Sequence, residues 1–144
     1  MASCSYLYCH FVFRTKYREA LLFKQLREEL YQFLIQKSRE IGSIIIEING
    51  YADHIHILIR LNKNISVANL AKSLKGSSSR WINQKKVFAE ILFRWQRGYY
   101  CETVSKRNLD QLRSYIKGQV DKHYNVEIED RLKYFEADLK KKEN

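Results

Sequence analysis

Two histidines one strand period apart, His54 and His56, carry the residue types in this chain best suited to chemistry. They stand in Asp53-His54-Ile55-His56-Ile57-Leu58-Ile59, which reads as a β-strand. Side chains alternate along a strand. His54, His56, Leu58 and Arg60 therefore point one way, and Ile55, Ile57, Ile59 and Leu61 the other. One face suits a core, and the other presents two imidazoles close enough to share one metal ion. Further along, Tyr115, Gln119 and His123 recur at spacings of four, which places them on one helical face. A tyrosine on a polar helical face is a candidate nucleophile. Its phenol has a reference pKa near ~10, so it needs a base or a nearby cation to react. A metal on the histidine strand could polarise a phosphate under attack. Gln119, one turn along, could add a neutral oxygen ligand and leave positions open for phosphate oxygens.

The residues taken one at a time leave plainer alternatives open. A short His-x-His on a strand is often incidental. Tyr115 alone also fits a core or amphipathic interface position. His123 could cap a helix end, where a cation is favoured. His10, inside the first predicted strand, could be a satisfied core histidine.

The elements that must position these groups can be read in order. Ser5 to Phe13 is rich in Tyr, Phe, Cys and Val and predicts a buried first strand. Arg14 to Arg18 follows as a basic loop. Leu21 to Ile41 has helical periodicity through Leu22, Leu26, Leu30, Phe33, Leu34 and Lys37, with Gly42 as the stop. Ser43 to Asn49 predicts a second strand, and Asn49-Gly50-Tyr51-Ala52 a tight turn into the histidine strand. Ser66 can cap a helix to about Gln84, with Val67, Leu70, Leu74 and Trp81 as its apolar stripe. Phe93 to Ser105 reads as one or two strands, and Asn108 can cap a last helix to about His123. The order β-α-β-β-α-β-α predicts an α+β fold: a ferredoxin-like βαββαβ antiparallel sheet with helices on one face, plus a C-terminal helix carrying the tyrosine. Residues 1–125 read as one domain and residues 126–144 as a charged tail.

With 144 residues the chain can bury a real core in a single domain. Lys and Arg outnumber Asp and Glu by 26 to 16, a balance that favours a polyanionic partner; a basic protein with no such partner is the alternative. Three cysteines form no CxxC pair and suggest free thiols in a reducing cytoplasm. No secretory leader and no membrane-spanning run is apparent, so the expected location is cytoplasmic, with no membrane partner.

The segments around these residues resemble the single-tyrosine HUH transposases of the insertion-sequence 200/605 group, in which HUH denotes two histidines flanking a hydrophobic residue. Five landmarks occur in register: HFVFRTKYR from His10, GYADHIHI from Gly50, LKGSSSR from Leu74, WQRGYYCETVS from Trp95 and YIKGQVDKH from Tyr115. Tyr100-Cys101-Glu102 is a local departure from the pattern that bears on substrate detail. The resemblance implies that Tyr115 is the nucleophile and that His54, His56 and Gln119 ligate Mg²⁺ or Mn²⁺; by ligand type alone two histidines would also suit Zn²⁺. It further implies a homodimer, often with the residue equivalent to Tyr115 completing the partner subunit's metal site, and leaves open whether Tyr115 acts within its own subunit or across the dimer. The implied reaction is cleavage and rejoining of single-stranded DNA at hairpin-bearing element ends, through a 5′-phosphotyrosine and without ATP.

Basic residues suggest where such DNA would lie. Between Ile65 and Cys101 seven basic residues stand against Glu90, a local charge of 7 − 1 = +6. Lys72, Lys75, Arg80, Arg94 and Arg97 from this stretch, with Arg14, Lys16 and Arg18, are the candidate phosphate contacts; a solvated helix face is the alternative. Trp95, Tyr99 and Tyr100 could stack unpaired bases, with core packing as an equal alternative for Trp95, and Ser77, Ser78 and Ser79 could touch phosphates or simply line a polar helix face. Two competing readings remain: a non-catalytic or domesticated ferredoxin-like nucleic-acid-binding module, and an HUH nuclease of the replication-initiating kind, whose members are commonly larger.

Overall fold

The period-two pattern of the histidine segment builds the centre of a four-stranded antiparallel sheet. A computed structural model describes residues 3–118. Its elements run β1 (Tyr8–Arg14), α1 (Lys24–Glu40), β2 (Ile44–Tyr51), β3 (His54–Arg60), α2 (Val67–Gln84), β4 (Tyr100–Val104) and α3 (Leu109–Lys117). The strands lie in the order β2-β3-β1-β4, all neighbours antiparallel. This is the expected ferredoxin-like βαββαβ arrangement, followed by the helix that carries Tyr115.

Both central strands are buried on their two faces, as their near-continuous apolar composition requires. On one face Cys9, Phe11 and Phe13 of β1 join Ile55, Ile57 and Ile59 of β3. They pack against Leu26, Leu30 and Leu34 of α1 and against Leu70, Ala71, Leu74 and Ile82 of α2. Burial of each large side chain contributes about 1.5–3 kcal/mol. On the opposite face a smaller cluster holds α3, through Leu58, Leu112 and Ile116. Helix α2 starts where Ser66 accepts a hydrogen bond from the Asn69 amide at 3.1 Å, and Gly42 follows α1 with φ of 84°. No helix among the described residues is long and apolar enough to cross a membrane.

Strand β2 contains a bulge between Ile45 and Glu47. The extra residue lets Ile45 and Ile48, three apart, both pack against the main core. Glu47 and Asn49 then stand directly opposite Leu58 and His56.

The turn expected at Asn49–Ala52 lies further along. β2 continues to Tyr51, which pairs with His54, so the hairpin loop is Ala52–Asp53. Gly50 is required by close approach rather than by turn geometry: a Cβ there would lie 2.2 Å from the His54 carbonyl oxygen and 2.7 Å from Ile55 Cα. The basic loop also begins later than expected, because Arg14 is the last residue of β1 and is buried. Of Phe93–Ser105 only Tyr100–Val104 forms a strand, with a single bridge between Trp95 and Thr15. Side chains of α2 satisfy the preceding backbone instead. Asn83 bonds both the amide and the carbonyl of Phe93, at 2.7 and 3.0 Å. Lys75 Nζ donates to the Gln96 and Gly98 carbonyls at 2.8 and 2.6 Å.

Replacing Gly50 by alanine should force β2 away from the backbone of β3. The expected loss is about 1–3 kcal/mol, read as a lowered urea midpoint; an unchanged midpoint would show that the hairpin has room for a methyl group.

Candidate active site

The polar face of β3 is a buried surface in which each imidazole has a partner. His54 is 9% exposed and His56 fully buried, with ring centroids 5.1 Å apart. His54 sits beside the hairpin loop, so the carboxylate of the preceding residue can reach it: Nδ1–H donates to Asp53 Oδ1 at 2.8 Å. Burial alone would raise the Asp53 carboxyl. The hydrogen bond from His54 and the charges of Arg18 and Arg14 outweigh it and hold Asp53 below the usual carboxylate range. Arg18 Nε lies 3.4 Å from Asp53 Oδ2.

His56 is held from β1. His10 and His56 are joined by a 2.8 Å hydrogen bond between His10 Nε2 and His56 Nδ1. Burial lowers the His10 pKa to about 4, against an opposing effect of Glu102, so His10 is neutral near pH 7. The Tyr100 hydroxyl donates to the Glu102 carboxylate, and the Tyr100 ring stands edge-on to His10 at 5.7 Å.

The nucleophile candidate arrives from above the sheet. Tyr115 lies on α3 with its ring perpendicular to that of His56, centroids 5.6 Å apart. Three features set this placement. Leu112 and Ile116 pack on Leu58. Glu47 meets Arg113 at 3.6 Å and Lys117 at 3.8 Å. The Asn49 amide donates to the Ile116 and Lys117 carbonyls at 3.0 and 2.9 Å, while its oxygen accepts from the Tyr31 hydroxyl at 3.4 Å.

The pair suits a metal by donor type and by orientation. Both histidines are engaged through Nδ1, so Nε2 is the atom that each would offer. The Nε2 atom of His56 lies out of contact with solvent. Among the described residues no group of three His, Cys, Asp or Glu forms around a common point. The expected third ligand, Gln119, and His123 lie outside the described residues, as does the charged tail.

The structure thus brings His54, His56 and Tyr115 together and adds three residues with other sequence readings. His10 was open as a core histidine, Asn49 fell in the predicted turn, and Asp53 simply began the strand. The alternation of β1 puts His10 on the same face as Val12, which pairs directly with His56.

The expected phosphate contacts divide. Lys72, Arg80, Arg94, Arg97 and Arg18 are exposed and Lys16 half-buried. Arg14 is buried opposite His54. Lys75 is not on the exposed face of α2. Its ammonium is bonded to two carbonyls, and burial lowers its pKa to about 8. Trp95 does not stack outward either: it is buried in the core and donates from Nε1 to Ser78 at 2.9 Å. Ser77 and Ser78 are buried and bonded within the protein, so Ser79 alone of the three stays partly accessible.

The family described as "Transposase IS200 like" matches residues 3–119. The chain is 32% identical to the transposase for insertion sequence element IS200 of Salmonella typhimurium, over 83% of this chain and 78% of that protein. It is 27% identical to the ISDra2 transposase TnpA of Deinococcus radiodurans, over 78% of this chain and 84% of that one. Two solved structures share the fold. A crystal structure of a candidate transposase from Deinococcus radiodurans R1 superposes with a TM-score of 0.66 at 23% identity, covering 87% of this chain and 97% of that one. A REP-associated tyrosine transposase bound to a REP hairpin superposes with a TM-score of 0.60 at 14% identity, covering 82% and 70%.

Asn49→Ala would remove the two amide bonds that tie α3 to β2 beside His56. Local stability of α3 should fall by about 1–2 kcal/mol, a roughly 5- to 30-fold loss of amide-exchange protection over residues 109–117. The measurement is hydrogen–deuterium exchange; protection equal to the wild type would show that the apolar cluster alone holds the helix.

Proposed function

Because the chain belongs to the IS200-like transposase family, we propose that it cleaves and rejoins single-stranded DNA at hairpin-bearing insertion-sequence ends through a phosphotyrosine on Tyr115. The observation that carries this reading is the meeting of Tyr115 with His56, at 5.6 Å between rings, over a histidine pair whose members are each held through Nδ1. In the proposed reaction the Tyr115 oxygen attacks the scissile phosphorus as its proton leaves. The bond from phosphorus to the 3′ oxygen breaks, that oxygen takes up a proton, and the 5′ end stays joined to the tyrosine. Attack by a 3′-hydroxyl reverses the step and reseals the strand, so no other energy source is consumed.

His54 and His56 would hold Mg²⁺ or Mn²⁺ through Nε2, with Gln119 as a further ligand. A metal bound there would supply Lewis-acid polarisation of the phosphate oxygens. The chain's own residues contribute orientation. Asp53 and His10 fix the two imidazoles, and Asn49, Glu47 and the Leu58 cluster fix the helix that presents the phenol. A fold shared with a transposase bound to a REP hairpin supports hairpin DNA as the substrate class. A homodimer belongs to the same proposal.

The test is a covalent-adduct assay with single-stranded oligonucleotides from the flanks of the gene, Mg²⁺ or Mn²⁺, and a denaturing gel. A shifted protein–DNA band is expected, absent with chelator, with Tyr115→Phe and with His56→Ala. Salt-sensitive hairpin binding without any band would favour a binding module and remove Tyr115 as the nucleophile on those DNAs.

The division among basic residues has its own expectation. Lys72→Ala or Arg80→Ala should each reduce the slope of log affinity against log salt by about 1. Lys75→Met should leave that slope unchanged and instead lower folding stability by about 1–3 kcal/mol, because two carbonyls lose their donor. Equal slope losses for all three would place Lys75 on the DNA after all.

A further inference from the structure

The third imidazole of the polar face supplies neither a ligand nor a reacting atom in the reaction just described. We propose that His10 is a positioning residue: it accepts a hydrogen bond from Nδ1 of His56, edge to edge and nearly in the plane of that ring, and so fixes His56 Nε2 as a metal-binding atom. The inference rests on the reading of His54 and His56 as metal ligands.

Four observations support it. His10 and His56 are 46 residues apart in sequence and come from adjacent strands, yet their nitrogens approach to 2.8 Å. Their rings meet edge to edge, with centroids 5.1 Å apart and planes inclined by only 20°, so the hydrogen bond lies close to the plane of both rings, where the nitrogen lone pair and N–H point. Both are buried, at 2% and 0% exposure, where a competing water cannot replace the bond. His10 is itself braced by the Tyr100 ring, and Tyr100 is bonded to Glu102, the residue directly opposite His10 in β4.

The proton arrangement follows from imidazole chemistry. A metal at His56 Nε2 requires the lone pair of that nitrogen, so the His56 proton resides on Nδ1. Nδ1–H then needs an acceptor, and the atom at hydrogen-bond distance is His10 Nε2. His10 in turn carries its proton on Nδ1. The two ligands are thereby oriented by different means: a carboxylate holds His54 at the hairpin, and a neutral imidazole holds His56 inside the sheet. Partners of this kind set the tautomer and direction of a ligating histidine, and their loss typically weakens metal binding by roughly 10- to 100-fold.

The experiment titrates Mn²⁺ into the full chain, with free Mn²⁺ followed by electron paramagnetic resonance. The proteins are wild type, His56→Ala, His10→Phe, His10→Val and His10→Gln, and thermal unfolding is recorded without metal in the same buffer. Phe retains an aromatic ring and Val suits a strand, but neither can accept a hydrogen bond. Gln offers a carbonyl oxygen to Nδ1–H. His10→Phe and His10→Val should bind Mn²⁺ roughly 10- to 100-fold more weakly, and His10→Gln should recover most of the loss whatever its melting temperature. If His10→Phe does not fold, His10→Val and His10→Gln make the same comparison. Wild-type affinity in the Phe or Val protein, or a loss that follows melting temperature without rescue by Gln, overturns the role of His10. Mn²⁺ binding that is absent in the wild type or unaffected by His56→Ala overturns the metal reading itself, and the inference with it.

Discussion

Strand β3 must bury both of its faces while carrying imidazoles on one of them. Every residue from His54 to Ile59 is buried. Ile55, Ile57 and Ile59 meet that requirement on the helix-packed side by apolar contact alone. On the other side a buried ring nitrogen without a partner would carry a penalty of about 1–3 kcal/mol. The surrounding elements supply partners to His54 and His56 in consequence: the hairpin loop brings Asp53, β1 brings His10, and β2 sets Asn49 beside His56 while directing its amide to α3. The sheet order β2-β3-β1-β4 is what allows this, since it places β3 between the two strands that contribute.

What could be read from the sequence was whatever strand or helix period dictates. The alternation of His54–Leu61 assigned each residue to its observed face, and the leucine spacing of Leu26, Leu30 and Leu34 gave the buried side of α1. Pairings between distant segments were not readable. His10 in its own strand is one buried histidine among apolar residues, and only the register Val12–His56 brings it to the site. Asn49 was misplaced because Asn-Gly is a strong hairpin signal. Here the glycine answers a steric demand from the β3 backbone and the asparagine answers the carbonyls of α3. Residue type misled in the same way at Lys75: a lysine on an otherwise polar helix reads as solvated, yet its ammonium lies 6.0 Å from the ring centroids of Phe13 and Tyr99 and serves a segment 21 to 23 residues away. The stretch before β4 forms no second strand for the same reason, because Lys75 and Asn83 satisfy the backbone groups that a ladder would have used.

The two halves of the site rest on foundations of unequal strength. The imidazole pair is rooted in the main core, where β1 and β3 pair along seven residues and share one apolar face with two helices. The tyrosine rides on a nine-residue helix held by three buried apolar side chains, one asparagine amide and two ion pairs at a partly exposed glutamate. A helix this short has little stability of its own, and such ion pairs contribute at most about 1 kcal/mol. Local opening of α3 should therefore require much less free energy than opening of the sheet. In the proposed reaction, which would attach Tyr115 to a DNA end and later release it, this division would let the tyrosine shift with its substrate while the imidazoles keep their geometry. The bond from Asn49 lies on that boundary: it joins the more easily opened helix to the strand that faces His56 across the ladder. Its strength should govern how tightly movement of Tyr115 is coupled to the histidine pair.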